Sequence, residues 1–303
     1  SSYRASDSEL VRFGKPWARV DGDTDNNQRR TVKIVSEPEQ SKSYEVAGKT
    51  MKRLSLNSSL PVVLFEPNHL LMLSGGPERR RAYLDELLSQ TEPGYGTLLR
   101  QYKRALAQRN RLLKNHQPIS LKEQIFAWDV KLSQLAGQIV RSRSQLSQKI
   151  DDRLSKLYKD LSKTKNEVTV SYQSQWKPTN YETKLLDKLE TSLSTDIQRG
   201  FTTNGPHRED LAVHVDSRPL QETASRGESR TTLLALKIIE LQIIQEHREE
   251  APLLLLDDVF SELDGRRRHA LTDYLSSYQT FITTTDADLA LKHFNKNSNV
   301  IPL

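Results

Sequence analysis

The spacing of apolar positions changes twice along the chain. Up to Phe65 the apolar runs are short and extended: Trp17-Ala18-Arg19-Val20, Thr31-Val32-Lys33-Ile34-Val35 and Tyr44-Glu45-Val46. Turn residues separate them at Asp21-Gly22-Asp23, Asp25-Asn26-Asn27 and Gly48, so the spacing predicts a β-meander. Pro61-Val62-Val63-Leu64-Phe65 is unbroken and predicts a strand buried on both faces.

From Pro77 the period becomes helical. Leu121, Ile125, Trp128, Leu132, Leu135, Ile139, Leu146, Ile150, Leu154, Leu157 and Leu161 hold three-to-four spacing and predict one long helix. Leu84, Leu88, Leu99, Tyr102, Leu106 and Leu113 predict a partner helix from about Glu78 to Lys114. The short link Asn115-His116-Gln117-Pro118 makes the two antiparallel neighbours, a helical arm.

Beyond Lys165 strands and helices mix. Val168–Tyr172 and Leu211–Val215 read as strands and Tyr181–Thr195 as a helix. Ser229–Glu246 is apolar nearly all round, which predicts a buried helix. Leu253–Leu256 and Phe281–Thr284 predict doubly buried strands. The expected fold class is α/β with a parallel or mixed sheet, interrupted by the helical arm. The segments run 1–76 (β-rich), 77–198 (helical arm) and 199–303 (α/β).

Charge sharpens this picture. Between Arg100 and Lys165 there are 16 Lys or Arg against 5 Asp or Glu, while the remainder holds 29 against 34. A basic arm on a mildly acidic body fits a polyanion partner, nucleic acid being the usual one. A solvated helix pair is the alternative, and the imbalance argues against it. On the arm, Arg141, Arg143, Lys149 and Arg153 are the candidate DNA contacts. Without cysteine there is no disulfide framework, thiolate metal site or thiol nucleophile. No apolar run reaches membrane-span length and the first ten residues show no signal-peptide pattern, so a soluble cytoplasmic protein is expected.

Leu253-Leu254-Leu255-Leu256-Asp257-Asp258 has the form of a Walker B strand. A buried parallel strand presents its last residues at the carboxyl edge of the sheet, where Asp257 can hold Mg²⁺ and Asp258 can polarise an attacking water. Many parallel strands end in Asp, so this feature alone does not decide. Two neighbours add weight. Asp264, in Ser261-Glu262-Leu263-Asp264, resembles the D-loop of ABC ATPases. Ser225, Arg226 and Gly227 lie just ahead of the buried helix, 32 residues before Asp257 at Ser225, where backbone N–H groups and the helix dipole favour an anion. Leu73-Ser74-Gly75-Gly76 spells a transporter signature but lies on the wrong side of the arm, so it reads as a loop between elements.

Gly205-Pro206-His207-Arg208-Glu209-Asp210-Leu211 resembles the GPHRDDL block of the RecF family. Gly75-Gly76-Pro77, with Arg79-Arg80-Arg81-Ala82-Tyr83-Leu84-Asp85, resembles a second block, and Gln279–Asp286 resembles the family's C-terminal strand. The resemblance implies an ABC-type P-loop NTPase lobe, related to SMC heads, interrupted by a short helical arm. It implies ATP and Mg²⁺ as cofactors, with Asp257 on the metal and Asp258 catalytic. Ser225 and Gly227 would meet the γ-phosphate in trans within an ATP-dependent homodimer. It further implies binding of single-stranded and gapped duplex DNA, loading of recombinase with RecO and RecR, and slow hydrolysis, since Thr285 stands at the transporter switch-histidine position.

The match has departures. Phe65-Glu66-Pro67-Asn68-His69-Leu70 resembles a block in which Asn68 replaces an acid; its amide can still accept from a metal-bound water. No G-x-x-x-x-G-K-[ST] occurs, and Gly48-Lys49-Thr50 reads as part of the meander. The chain is therefore expected to lack a strand–P-loop–helix unit of roughly 30 residues or more ahead of Ser1, so slow hydrolysis is expected of the complete protein and not of this chain without its P-loop. A non-catalytic DNA-binding adaptor that has lost its nucleotide site is the alternative.

Overall fold

The computed structural model describes residues 6–24, 28–114, 121–259 and 263–284, with 299 and 301. Backbone contacts divide the chain into two compact units, Ser1–Leu60 and Pro61–Leu303.

The first unit is the expected meander. Strands β1 (Trp17–Asp23), β2 (Arg29–Val35), β3 (Ser41–Val46) and β4 (Lys49–Met51) form one antiparallel sheet in sequence order. Ala47 and Gly48, at φ 49° and 79°, close the β3–β4 hairpin in the left-handed conformation that a tight primed turn requires. Gly48-Lys49-Thr50 is thus a hairpin, as read from the sequence.

The second unit holds the parallel sheet. Strand β5 (Val62–Phe65) leads into the short helix α1 (Leu70–Ser74). Gly75 caps α1, and Gly76 opens α2 (Pro77–Thr91), so of the transporter-like stretch Leu73 and Ser74 close α1 and only Gly75-Gly76 forms the turn between helices. The single helix expected from Glu78 to Lys114 is broken. Pro93 and Gly94 (φ 86°) end one helix, and α3 (Tyr95–Lys114) starts afresh. The 42-residue α4 (Leu121–Ser162) matches its expectation. Ser142 Oγ donates to Glu92 near the start of α3, and Arg109 near its end pairs with Asp129, so α3 and α4 run antiparallel. The link at 115–118 lies outside the described residues.

Strand β6 (Val168–Gln173) follows, then α5 (Tyr181–Thr191) and α6 (Leu193–Arg199), which split the expected single helix at Ser192. Strands β7 (Asp210–Val215) and β8 (Arg218–Pro219) join β6 in an antiparallel sheet. After α7 (Leu220–Thr223) comes α8 (Arg226–Arg248), with a continuous buried run from Thr231 to Leu241. Each fully buried Leu or Ile there contributes roughly 1.5–3 kcal/mol. The run also encloses an ion pair, Lys237 Nζ to Glu240 Oε2 at 3.0 Å, with Lys237 over the Tyr83 ring. Strand β9 (Leu253–Asp257), helix α9 (Gly265–Leu275) and strand β10 (Thr280–Thr283) complete a βαβ unit. The parallel sheet has the order β10-β9-β5. Strands β5 and β9 are neighbours although the whole helical region separates them in sequence. The fold is therefore α/β with a parallel sheet interrupted by helices. The segment limits expected at 76/77 and 198/199 both lie within this unit.

Candidate functional site

All three parallel strands end at one edge, and that edge gathers the carboxylates. Phe65 pairs with Leu256, and Thr283 with Asp257, so the end of β5 lies on one side of Asp257 and β10 on the other. Thr283 Oγ1 donates to Asp257 Oδ1 at 2.6 Å. Asp258 leaves the strand at φ 50°, and its N–H donates to Thr283 O at 3.1 Å. Asp tolerates this left-handed conformation better than most side chains. The kink sends the chain away from the sheet immediately after the two acids.

On the β5 side the residue in step with Asp257 is Glu66, which the motif pattern does not single out; Asn68 lies two residues farther on and is exposed. His69 Nδ1 accepts from the Glu66 N–H at 3.3 Å. Burial, reinforced by the Lys237 charge, holds His69 down to about 3. It is therefore neutral, and its 3.8 Å approach to Glu66 is not an ion pair. A small groove lined by Phe65, Glu66, Arg230, Leu233, Val259 and Leu263 connects this edge to α8. Among the described residues no group of three His, Asp or Glu could hold a metal alone. One carboxylate beside a hydroxyl does fit Mg²⁺, which keeps waters and takes its remaining ligands from phosphate.

The second constellation lies at two helix starts. Ser225 caps α8: its Oγ accepts from Glu228 N at 3.2 Å, and Glu228 Oε2 accepts from Ser225 N at 2.8 Å. That reciprocal pair is a capping box. Asp264 caps α9 by accepting from Arg267 N at 3.0 Å. Arg267, which belongs to none of the motifs, ties the two together. Its guanidinium donates to Thr231 Oγ1 at 2.7 Å and to Gly227 O at 3.1 Å, and it pairs with Asp264. Ser225, Arg226 and Asp264 are exposed. Ser261, Glu262 and Thr285 lie outside the described residues.

The arm requires a correction. Arg143 is not a DNA contact, because its side chain is only 4% exposed. It grips Asp85 with two bonds of 3.0 Å and donates to Pro206 O at 2.8 Å and Tyr172 Oη at 3.0 Å. Arg153 pairs with Glu246 at 2.8 and 2.9 Å, and Lys149 Nζ lies 3.2 Å from His247 Nε2. Only Arg141 of the four is exposed without a described partner.

The face that local charge counting does not reveal is on α3. Arg100, Lys103, Arg104, Arg111 and Lys114 are all exposed, and α3 contains no Asp or Glu. At 100° per residue these five fall within an arc of about 100°. Arg109, on the opposite side, is fully buried between Asp129 and Asp196. Among the described residues the five make no ion pair.

The two blocks that carried the resemblance meet in space. Arg80 forks onto Asp210 with two 2.8 Å bonds, and Arg81 donates to Glu209 O at 2.6 Å. His207 Nε2 lies 3.1 Å from Thr202 O, which can only accept. Nδ1 therefore accepts from Tyr102 Oη at 2.7 Å, fixing one neutral tautomer. Burial pulls His207 down to about 4. Gly205, at φ 128°, leaves room that a Cβ would take from Tyr102 Oη, 2.9 Å away.

No protein-family model matches the chain. It is 32% identical over 298 residues to the DNA replication and repair protein RecF of Acetivibrio thermocellus, covering 95% of this chain and 81% of that protein. To RecF of Halothermothrix orenii it is 34% identical over 311 residues, covering 94% and 80%. The solved structure of the recombination mediator protein RecF with an ATP analogue (ATPrS), in the RecFOR pathway, superposes with a TM-score of 0.84 at 29% identity, covering 95% of this chain and 80% of that one. Shared sequence along nearly the whole chain, with the same fold, leads to one conclusion: the chain belongs to the RecF family of DNA replication and repair proteins.

Proposed function

We propose that this chain is an ATP-gated DNA-binding protein of recombinational repair and replication restart, one that dimerises around nucleotide and holds DNA on its basic helical face. One observation carries the gating. The two elements expected to reach across an ATP sandwich, Ser225–Gly227 and Asp264, are exposed helix starts held in register by Arg267. A surface meant to close on a phosphate held by a second subunit needs this rigidity, because loose donors lose the advantage of preorganisation.

On this reading Asp257 would hold Mg²⁺ beside Thr283, and Mg²⁺ would neutralise charge on the phosphates when bound. Asp258 orients and deprotonates water. Glu66, alongside Asp257, supplies a second carboxylate where Asn68 offers only an amide two residues farther on. Gly227 allows close approach of an anion to the start of α8. By family membership the partners would be single-stranded and gapped DNA, RecR and RecO, in the cytoplasm. No helix among the described residues is long and apolar enough to cross a membrane.

Sedimentation with and without ATP and Mg²⁺ tests the proposal. The native protein should dimerise with ATP and relax as hydrolysis proceeds, while Asp258→Asn should persist as a dimer. Wild-type turnover in Asp258→Asn would remove the catalytic assignment. DNA binding that ignores ATP, without dimerisation, would put the adaptor reading in its place.

A further inference from the structure

Resting on the proposal that α3 faces DNA, we infer that Phe201 and Arg208 form a stacking step for an unpaired base at the end of the α3 stripe. Phe201 is 37% exposed although it sits in a segment otherwise fixed by buried polar contacts. Gly200, at φ 70°, turns the chain off α6 and brings it against Lys114, whose Cγ would be 3.5 Å from an added Cβ. Thr202 then pins the segment to α3: its N–H and Oγ1 donate to Asn110 Oδ1 at 2.8 and 2.7 Å. Thr203 donates twice to Asp196, which also holds Arg109. Phe201 is thus held beside the part of α3 that displays Arg111 and Lys114.

The Arg208 guanidinium lies 4.8 Å from the centre of the Phe201 ring, with Nη2 3.4 Å from Thr202 O. Arg208 is exposed, as is Arg199 at the end of α6. A fixed aromatic ring and a planar, weakly hydrated cation, flanked by Lys and Arg, suit a nucleotide: phosphate for the cations, a base for the flat surface. A continuous duplex offers such a platform no free base face. The step therefore acts where a strand becomes unpaired, while the α3 stripe takes the duplex phosphates. An acidic protein segment would satisfy the charge but leave the ring without use.

Anisotropy titrations with a blunt duplex, the same duplex carrying a single-stranded tail, and the tail alone test this inference. An aminopurine reporter in the tail reads stacking directly. Phe201→Ala and Phe201→Leu should weaken tailed-duplex binding about tenfold, the usual effect of losing one stacked base, and abolish reporter quenching. Blunt-duplex affinity should not change. Phe201→Leu retains apolar cover, so a shared loss follows the π-face and not packing. Equal weakening of blunt and tailed DNA, or unchanged quenching, would overturn the inference while leaving DNA binding by α3 in place. Lys103→Glu with Arg104→Glu and Arg111→Glu should weaken all three DNAs; if that variant binds like wild type, the α3 reading fails and the stacking step with it.

Discussion

Helices α3 and α4 are both rich in Lys and Arg, yet of the four α4 residues expected to meet DNA two are held by acids, while among the described residues five cations on one face of α3 are not. On α4, Arg143 is sealed inside the joint with Asp85, and Arg153 is met by Glu246 from α8. On α3 the five outward cations keep their charge for solvent. The acids that hold Arg143 and Arg153 lie far away in sequence, 58 residues back for Asp85 and 93 ahead for Glu246. Local charge imbalance therefore identifies a basic region without saying which of its cations are available. Availability is set by tertiary partners, and long-range electrostatic attraction to a polyanion needs cations that the protein has not already paired.

The largest expected effect lies in the sealed joint. Arg143→Ala takes the guanidinium from part-buried Asp85, which keeps the Tyr95 hydroxyl as a donor but loses its counter-charge, and also leaves Pro206 O and Tyr172 Oη without the Arg143 donor. Removing one partner of a buried ion pair costs about 3–5 kcal/mol, and Arg143→Lys should recover little of it because lysine cannot fork. Urea denaturation measures this. A fully stable Arg143→Ala with weakened DNA binding would reverse the assignment and restore Arg143 as a contact.

The next effect separates the two helices directly. The Lys103, Arg104 and Arg111 triple reversal should lower the slope of log affinity against log salt by about 3, near one for each phosphate that is no longer neutralised. The same titration on an α4 variant with Lys149 and Arg153 reversed should give the wild-type slope. Equal slopes for both variants would mean the polyanion follows neither face in particular.

Much of the fold was legible in the sequence, because it rests on local pattern. The all-round apolar Ser229–Glu246 could only be buried, and Leu253–Asp258 announced a strand and its carboxylates. The division of α2 from α3 was signalled by Pro93-Gly94 but masked by the periodicity on either side. Counting charge over both helices of the arm together hides the α3 stripe, since it does not separate the cations by face or by burial. Glu66, Arg267 and the burial of Arg143 had no local signal. Glu66 stands out only once β5 pairs with β9, and Arg267 only when α8 and α9 come together. Likewise the Gly75–Asp85 and Gly205–Leu211 blocks looked like separate motifs, whereas Arg80–Asp210 and Arg81–Glu209 make them one structure.

That joint should also give the comparison a pH signature. His207 couples α3, through Tyr102, to the 202–208 segment, with Arg81 and Arg208 also acting on its charge. Its folded value, about 4, lies below the ordinary 6.5, so the unfolded chain takes up the proton first. Stability from this group is complete above 6.5 and falls as pH drops from 6.5 towards 4, by at most about 1.4 kcal/mol per pH unit. His69 acts with the same sign down to about 3. Urea midpoints taken across this window should show a shallower decline in His207→Gln. An identical decline would mean that His207 is protonated in the folded state as readily as in the unfolded one.

The smallest expected effect is the most pointed test of why the α4 cations differ from those of α3. Arg153 and Glu246 form a two-bond pair with about half of the Glu246 side chain exposed, and the pair holds Glu246 below the usual carboxylate range. Exposed pairs of this kind contribute between zero and about 1 kcal/mol. Arg153→Ala should therefore change stability by less than that and leave DNA affinity and its salt slope alone. Glu246→Gln offers the converse experiment: it releases the Arg153 guanidinium without adding any charge to the helix. If DNA affinity rises in Glu246→Gln and the slope steepens by about one, Arg153 lies within reach of the polyanion and its silence comes from pairing alone. If affinity does not move, distance from the DNA is the cause, and α3 marks the edge of the binding face.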